Sequence, residues 1–295
     1  MKTLVIGLGI GQLYAKILTQ LGHTVFTVDP DQNKQATFTN LKTALSAHPE
    51  LDAVFICTPN HTHDSIAQTV APHSRVVFVE KPGVLNSKRW QTLQLTYPQT
   101  KFLMTKNNMW RSWEEEFYIR TNAAEVIKIN WINRNRVPSP GSWFTTKKLS
   151  FGGVSRDLMP HLLSIFIAMN PKNYKEFQIE SKSIKQNWKL NDLADTEYGT
   201  VNLDGTYDVD DWNEIVLNNG KKKYVLTADW RSMDKDDRAI HCYQREKLVK
   251  SFDLGLCPES VYATMIRNVF ENINNEDFWN QHKEHDVWIH NMIND

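Results

Sequence analysis

The chain has 295 residues, enough for two domains, with the hydrophobic content of an ordinary globular protein. Its 34 Lys and Arg balance its 34 Asp and Glu, so no global charge points to nucleic acid or an anionic membrane surface. No apolar run approaches the roughly 20 residues of a membrane-crossing helix, Met1-Lys2 leads into a strand rather than a signal peptide, and the scattered Cys57, Cys242 and Cys257 form neither a disulfide framework nor a metal spacing, so a reducing cytoplasm is the expected setting.

Residues 4–6 predict a first strand, followed by the turn Gly7-Leu8-Gly9-Ile10-Gly11. Residues 12–21 carry Leu13, Ile17 and Leu21 at helical spacing. Strands are expected over residues 24–28, 53–57, 76–79 and 101–104, with a short helix over 64–70 that Thr62 would cap. This rhythm predicts right-handed crossovers and a parallel sheet. After about residue 122 the pattern changes. Residues 126–134 alternate, with Ile127, Ile129 and Trp131 on one side, and 224–230 alternate with Tyr224, Leu226, Ala228 and Trp230 on one face. Further strands are expected over 177–184, 196–203, 211–217, 239–244 and 248–252, with Asp204-Gly205 and Asn218-Asn219-Gly220 as turns. Such alternation predicts a largely antiparallel sheet with one buried face. Helical patterns close the chain from about residue 259 to 293. The expected class is α/β, with a parallel domain over residues 1–121 and an α+β domain over 122–295, whose C-terminal helices are free to pack back on the first domain.

The opening turn follows a strand and starts a helix, which is the context a dinucleotide fingerprint requires. Glycine permits the tight turn and the close approach of backbone to pyrophosphate, whose charge then faces a helix N-terminus. Here Gly7, Gly9, Ile10 and Gly11 are the candidate contacts. The third glycine comes one place early, and Gln12 stands where it is usual. Asp29 ends the second strand at the distance expected of a residue that takes the adenosine ribose hydroxyls. A carboxylate there repels a 2′-phosphate, so NAD is expected over NADP, although Lys34 stands near enough to contact a phosphate. The stretch Asp29-Pro30-Asp31 also reads as a plain polar turn.

Glu80-Lys81-Pro82 ends the apolar run 76–79, so Lys81 falls at the carboxyl edge of the sheet, where open α/β folds bind ligands. Farther on, Gly152-Gly153 precedes Asp157 and His161, with Pro160 limiting the start of a helix that runs to about Met169. Asp157, His161 and Ser164 share one stripe of that helix. The three groups have a common chemical sense. Oxidising an alcohol removes a hydroxyl proton as hydride leaves carbon; His161 accepts protons near neutral pH, Asp157 would stabilise the imidazolium, and Lys81 would hold the oxygen. Alone, the Asp157 and His161 pair also reads as a helix cap and a half-buried histidine.

At these residues the chain resembles the Gfo/Idh/MocA oxidoreductases, which include glucose-fructose oxidoreductase and inositol dehydrogenase. The resemblance rests on the glycine turn, on Asp52 through Asn60 with His63, on Val79-Glu80-Lys81-Pro82, and on Gly152-Gly153 through Asp157 and His161. It implies a Rossmann domain and then a substrate-binding domain with an open-faced sheet, whose face mediates a homodimer or homotetramer. It implies hydride transfer between a nicotinamide and a sugar, cyclitol or sugar derivative; some relatives instead reduce C=N or conjugated C=C bonds. Lys81 resembles the family's active-site lysine, and Asp157 and His161 its acid/base pair. Thr58, Pro59, Asn60, His63, Glu80 and Lys81 itself resemble residues on the cofactor side, and the Lys81-Pro82 bond is often cis in relatives. The chain departs at Ser164, where relatives often have Asp. Trp110, Arg111 and Trp143 are candidate substrate contacts, since a Trp face suits the C–H edges of a sugar ring. A nicotinamide-binding sensor without turnover is the remaining alternative; a sensor has no use for a proton-transfer set. No metal is expected: His61 and His63 lack a third ligand. His282, His285 and His290 are expected in solvent, and Cys57 in the core.

Overall fold

The computed structural model describes residues 1–294. They form two compact units: Met1–Thr105 together with the chain from Pro258 on, and Lys106–Cys257. The sequence pattern sets its division at residues 121 and 122 and leaves the C-terminal helices free to pack back on the first domain. The units divide earlier, between Thr105 and Lys106, and the chain rejoins the first unit at Pro258.

In the first unit β1 (Lys2–Ile6), α1 (Gly11–Gln20), β2 (Thr24–Val28), α2 (Leu41–Ala47), β3 (Leu51–Ile56), α3 (His63–Val70), β4 (Ser74–Val79), α4 (Ser87–Thr96) and β5 (Lys101–Met104) alternate. Every strand pairing is parallel, in the order β2-β1-β3-β4-β5. The central strands are apolar runs without alternation because both faces are covered: Leu4, Val54, Phe55, Val77 and Phe78 have no exposed surface. Phe55 stacks on Phe78 at 4.1 Å, and Tyr14 of α1 closes on Phe55 at 5.4 Å. The order reverses between β1 and β3, so their carboxyl ends flank the crevice where such sheets take ligands. Helices α2 and α4 are not among the elements expected from the sequence, although each has an asparagine cap: the Asn40 side chain accepts from Lys42 N and Thr43 N, and Asn86 from Arg89 N. Thr62, the expected cap of α3, has no capping bond; its hydroxyl donates to Pro59 O and meets the Thr58 hydroxyl.

The second unit contains α5 (Glu115–Ala123), β6 (Val126–Ile132), α6 (Lys147–Ser150), α7 (Val154–Asp157), α8 (Met159–Met169), β7 (Gln178–Lys185), β8 (Trp212–Asn218), β9 (Lys223–Asp229), β10 (Asp237–Gln244) and β11 (Lys247–Asp253). Its sheet runs β11-β10-β6-β9-β8-β7 and is antiparallel except for the central β6–β9 pair, which is parallel. One face is apolar, with Ile127, Ile129, Leu226, Ala228 and Ile240 fully buried. On that face Phe166 of α8 meets Tyr224 edge-on at 4.9 Å. The strand expected over residues 196–203 does not form. Its backbone serves a neighbouring loop one bond at a time instead of a ladder: Ser139 N donates to Tyr198 O and Asn202 N to Pro140 O.

Two further helices, α9 (Glu259–Glu271) and α10 (Glu276–Ile293), complete the first unit. The expectation that the histidines of α10 lie in solvent fails. His282, His285 and His290 are buried with Trp279, Ile289 and Ile293 on the helix's inward side. The helix looks polar in sequence because its buried side is built partly of imidazoles, which proteins bury about as readily as they expose. Among the described residues no helix is long and apolar enough to cross a membrane.

Candidate active site

Each glycine of the opening turn has a distinct steric role. Gly7 has φ +87°, and a Cβ there would lie 2.7 Å from Cys57 O, so no side chain fits between the ends of β1 and β3. A Cβ on Gly9 would meet nothing within 4 Å, which leaves open space over the backbone. A Cβ on Gly11 would come within 3.0 Å of Val5 Cγ1 and 3.3 Å of Cys57 Cβ. Close packing of helix on strand is the usual task of the third fingerprint glycine; Gly11 performs it one place early, which accounts for Gln12. Cys57 is only half-buried, short of the core position expected for it. No side chain caps the N-terminus of α1, so its first amides suit an anion. The turn therefore fits a dinucleotide pyrophosphate.

Asp29 braces this turn. Its Oδ2 accepts from Leu8 N at 2.7 Å and its Oδ1 from Asp31 N at 2.9 Å. Each oxygen keeps a further lone pair for a ribose hydroxyl.

The loops after β3 and β4 continue the ladder beyond the strands. Gly7 N donates to Val28 O, Cys57 N to Ile6 O, Glu80 N to Ile56 O and Thr105 N to Val79 O, all at 2.8–2.9 Å. Thr58, Pro59, Asn60 and Lys81 are half-exposed there. His63 lies behind them with no exposed surface, Nδ1 at 2.7 Å from Gly83 O and Nε2 at 2.7 Å from Thr58 O. Burial pushes its pKa below the usual histidine range, against two carbonyl contacts that favour the protonated ring; the nearby His61 and Lys81 add to the lowering. Glu80, 8% exposed, accepts from the Tyr14 hydroxyl at 2.6 Å and from Lys81 N at 3.1 Å. Thr105 Oγ1 also accepts from Lys81 N, at 3.2 Å, and the Lys81–Pro82 bond is cis.

In the second unit Asp157 ends α7 and His161 lies in the first turn of α8. The break between them follows from Pro160, which has no N–H to continue the ladder. Asp210 sets the start of α7: its carboxylate accepts from Gly153 N, Ser155 N and Ser155 Oγ at 2.7–3.0 Å. Two tryptophans hold the pair. Trp230 Nε1 donates to Asp157 Oδ2 at 3.0 Å, and Trp131 stacks on the His161 ring at 5.5 Å and 25°. Both stand at the carboxyl ends of the parallel β6–β9 pair. The alternation placed each on its face; nothing in the sequence joins them to Asp157 or His161. Ser164 is fully buried and its hydroxyl donates to His161 O, so it supports the helix and presents nothing outward. Trp110, Arg111 and Trp143 are half-exposed in this unit; Arg111 Nε donates to Asn108 Oδ1 at 2.7 Å, and Trp143 stacks on Phe144 at 3.9 Å. Lys81 belongs to the first unit, and Asp157 and His161 to the second. Among the described residues no three His, Cys, Asp or Glu side chains are grouped to hold a metal ion.

Residues 1–106 match the Gfo/Idh/MocA family model, described as an oxidoreductase family with an NAD-binding Rossmann fold. A curated protein of Amycolatopsis mediterranei (strain S699), provisionally named UDP-kanosamine synthase oxidoreductase subunit, is 27% identical over 179 residues, 55% of this chain and 49% of its own length. The match thus spans about half of that relative. Among solved structures, GenD2 from gentamicin A biosynthesis in complex with NAD superposes with TM-score 0.74 at 19% identity, over 99% of this chain and 91% of its own. A myo-inositol dehydrogenase from Corynebacterium glutamicum ATCC 13032 gives 0.72 at 13%, over 99% and 94%. Levoglucosan dehydrogenase with NADH and levoglucosan gives 0.69 at 12%, over 98% and 96%. At these identities the likeness shows the fold.

Proposed function

With residues 1–106 matching the model of the Gfo/Idh/MocA oxidoreductases, an NAD-binding Rossmann family, we propose that the chain moves hydride between NAD and a hydroxyl or carbonyl carbon of a sugar, cyclitol or sugar derivative. The observation that carries this reading is the pair in the second unit. A carboxylate and an imidazole four residues apart are half-exposed, one held by an indole N–H and the other by an indole face. The solved structures that share the fold include sugar and cyclitol dehydrogenases.

When bound, the nicotinamide takes or gives the hydride. Gly7, Gly9, Ile10 and Gly11 hold its pyrophosphate in this reading, Asp29 its adenosine ribose, and Thr58, Pro59 and Asn60 its nicotinamide side. His63 and Glu80 support these loops from behind. Lys81 holds the substrate oxygen. His161 accepts the hydroxyl proton in oxidation and returns it in reduction, and Asp157 places a negative charge one turn from the imidazolium that forms. Trp110, Arg111 and Trp143 contact the substrate, and the open sheet face joins copies of the chain.

The test pairs cofactor titration with a substrate panel. NAD binding by calorimetry that weakens in Asp29→Ala is expected, as is turnover of a polyol or keto-sugar that falls at least about 100-fold in Lys81→Ala and His161→Asn with NAD affinity kept. Turnover confined to imines or conjugated alkenes would move the chemistry to C=N or C=C reduction. NAD binding with no turnover of anything would leave a sensor.

A further inference from the structure

We propose that α10 positions Lys81, acting through the buried carboxylate of Asp286. The inference rests on the proposed function only for the meaning of Lys81. Strand β5 is the edge of its sheet. In a parallel ladder successive amides point alternately toward and away from the neighbouring strand. Thr105 N donates to Val79 O, so the amide of Met104, wholly buried, points away from β4. Such an amide needs an acceptor. Asp286 Oδ2 accepts from it at 3.1 Å across 182 residues of chain, and Asp286 itself has no exposed surface.

The carboxylate stands in a particular place. Thr105, next to Met104, holds Lys81 by accepting from its backbone N–H. Asp286 thus anchors the strand end on which Lys81 hangs. A second contact bears on the other side of Lys81. Gly83 has φ +79°, and a Cβ there would lie 2.9 Å from His290 Nε2 and 3.2 Å from Met104 Sδ. His290 is one turn beyond Asp286 on α10, and His282 one turn before; both are buried. One helix, outside the residues that match the family model, therefore seats both chain segments that bracket Lys81.

The experiment is carbon NMR of the full chain with its lysines isotopically dimethylated, the Lys81 resonance assigned by Lys81→Arg, alongside NAD calorimetry and turnover. Asp286→Leu is expected to move the Lys81 resonance and to lower kcat by roughly 10- to 100-fold, as small misplacements of a reacting group do, with NAD affinity unchanged. Asp286→Asn, whose amide oxygen still accepts, is expected to restore both. Thr105→Val, cutting the same connection at its other end, is expected to move the same resonance. A folded Asp286→Leu protein with Lys81 at its wild-type position would overturn the proposal; if that variant does not fold, Thr105→Val decides in the same way. NAD affinity falling as far as kcat would also overturn it, by making α10 a general support. If the wild type turns over no substrate, the functional reading falls while the Lys81 resonance still decides this one.

Discussion

The two units hold their candidate residues by different means. In the first, strand-end loops are locked mainly by backbone bonds, such as Cys57 N to Ile6 O and Glu80 N to Ile56 O, both within 2.8–2.9 Å. Side-chain identity matters there where a side chain would not fit and at a few braces, Asp29, His63, Thr105 and Asp286. In the second, Asp157 and His161 are set by side chains remote in sequence: Asp210 at the start of α7, Trp230 on the carboxylate, Trp131 on the ring. A site held by backbone is encoded locally and tolerates most substitutions. A site held by distant side chains is exposed to each of them.

The largest effects should come from one glycine in each unit. Gly7→Ala puts a Cβ 2.7 Å from Cys57 O at φ +87°, so both sterics and the left-handed backbone oppose it. NAD affinity should fall by about 100-fold or more, equivalent to roughly 3 kcal/mol. Gly153→Ala puts a Cβ 1.7 Å from Asp210 O, a clash with backbone that must displace α7. Turnover should vanish while calorimetry still finds NAD bound. Wild-type turnover in Gly153→Ala would break the distinction between the units.

Trp230→Phe tests the second unit more finely. It keeps most of the ring's packing and removes the N–H that reaches Asp157 Oδ2. Hydrogen bonds to charged groups contribute about 1.5–3 kcal/mol, so kcat should drop at least about tenfold, with NAD affinity unchanged. Equal losses in kcat and NAD affinity would show that Trp230 supports more than Asp157.

This contrast also explains what the sequence made legible. The first five strands and the glycine turn were readable because their signals are local: apolar runs, a tight turn, a charged residue at a strand's end. Gly11 could be seen as misplaced, but not why, since the reason lies in Val5 and Cys57 across the fold. In the second unit Asp157 and His161 were visible as a spacing, and Trp131 and Trp230 as face residues of two alternating strands. Their connection was not visible, because β6 and β9 lie about a hundred residues apart and are the parallel pair within a sheet that the pattern marked as largely antiparallel. The strand expected over residues 196–203 failed for a related reason: alternation records what could pair, not what a loop takes instead. The helix α10 misled by composition, since its polar letters include the imidazoles that it buries.

The first unit has a side-chain brace of its own, which bounds the comparison. Tyr14, wholly buried on α1, donates to Glu80 at 2.6 Å. Burial and the Glu80 carboxylate both push its pKa well above the usual phenol value, so it stays a donor. Tyr14→Phe leaves a nearly buried carboxylate oxygen short of a partner, and urea unfolding should show a loss of about 1–3 kcal/mol. A loss near zero would mean that the Tyr14 bond does not brace the Lys81 loop.

An effect of similar size, but confined to a pH window, falls in the second unit. Asp229 ends β9, is 8% exposed and accepts from Arg231 N at 2.8 Å. Burial pushes its pKa up to about 6; the bond from Arg231 N opposes this, and the charge of Asp211 adds to it. An aspartate in the unfolded chain titrates near 4, so the folded protein keeps this proton longer. The stabilisation of the protonated form is then complete below about pH 4 and is lost as the pH rises to about 6. Above that the ionised group costs on the order of 1–3 kcal/mol. Asp229→Asn keeps an acceptor for Arg231 N and removes the charge. Its stability in urea should exceed that of the wild type at pH 8 and match it near pH 4, with the slope between those limits reduced by this group's share. An equal gain at both pH values would place the benefit in packing and leave Asp229 ordinary. A gain confined to high pH would show that β9 ends on a charge the fold tolerates, one residue before the Trp230 that holds Asp157.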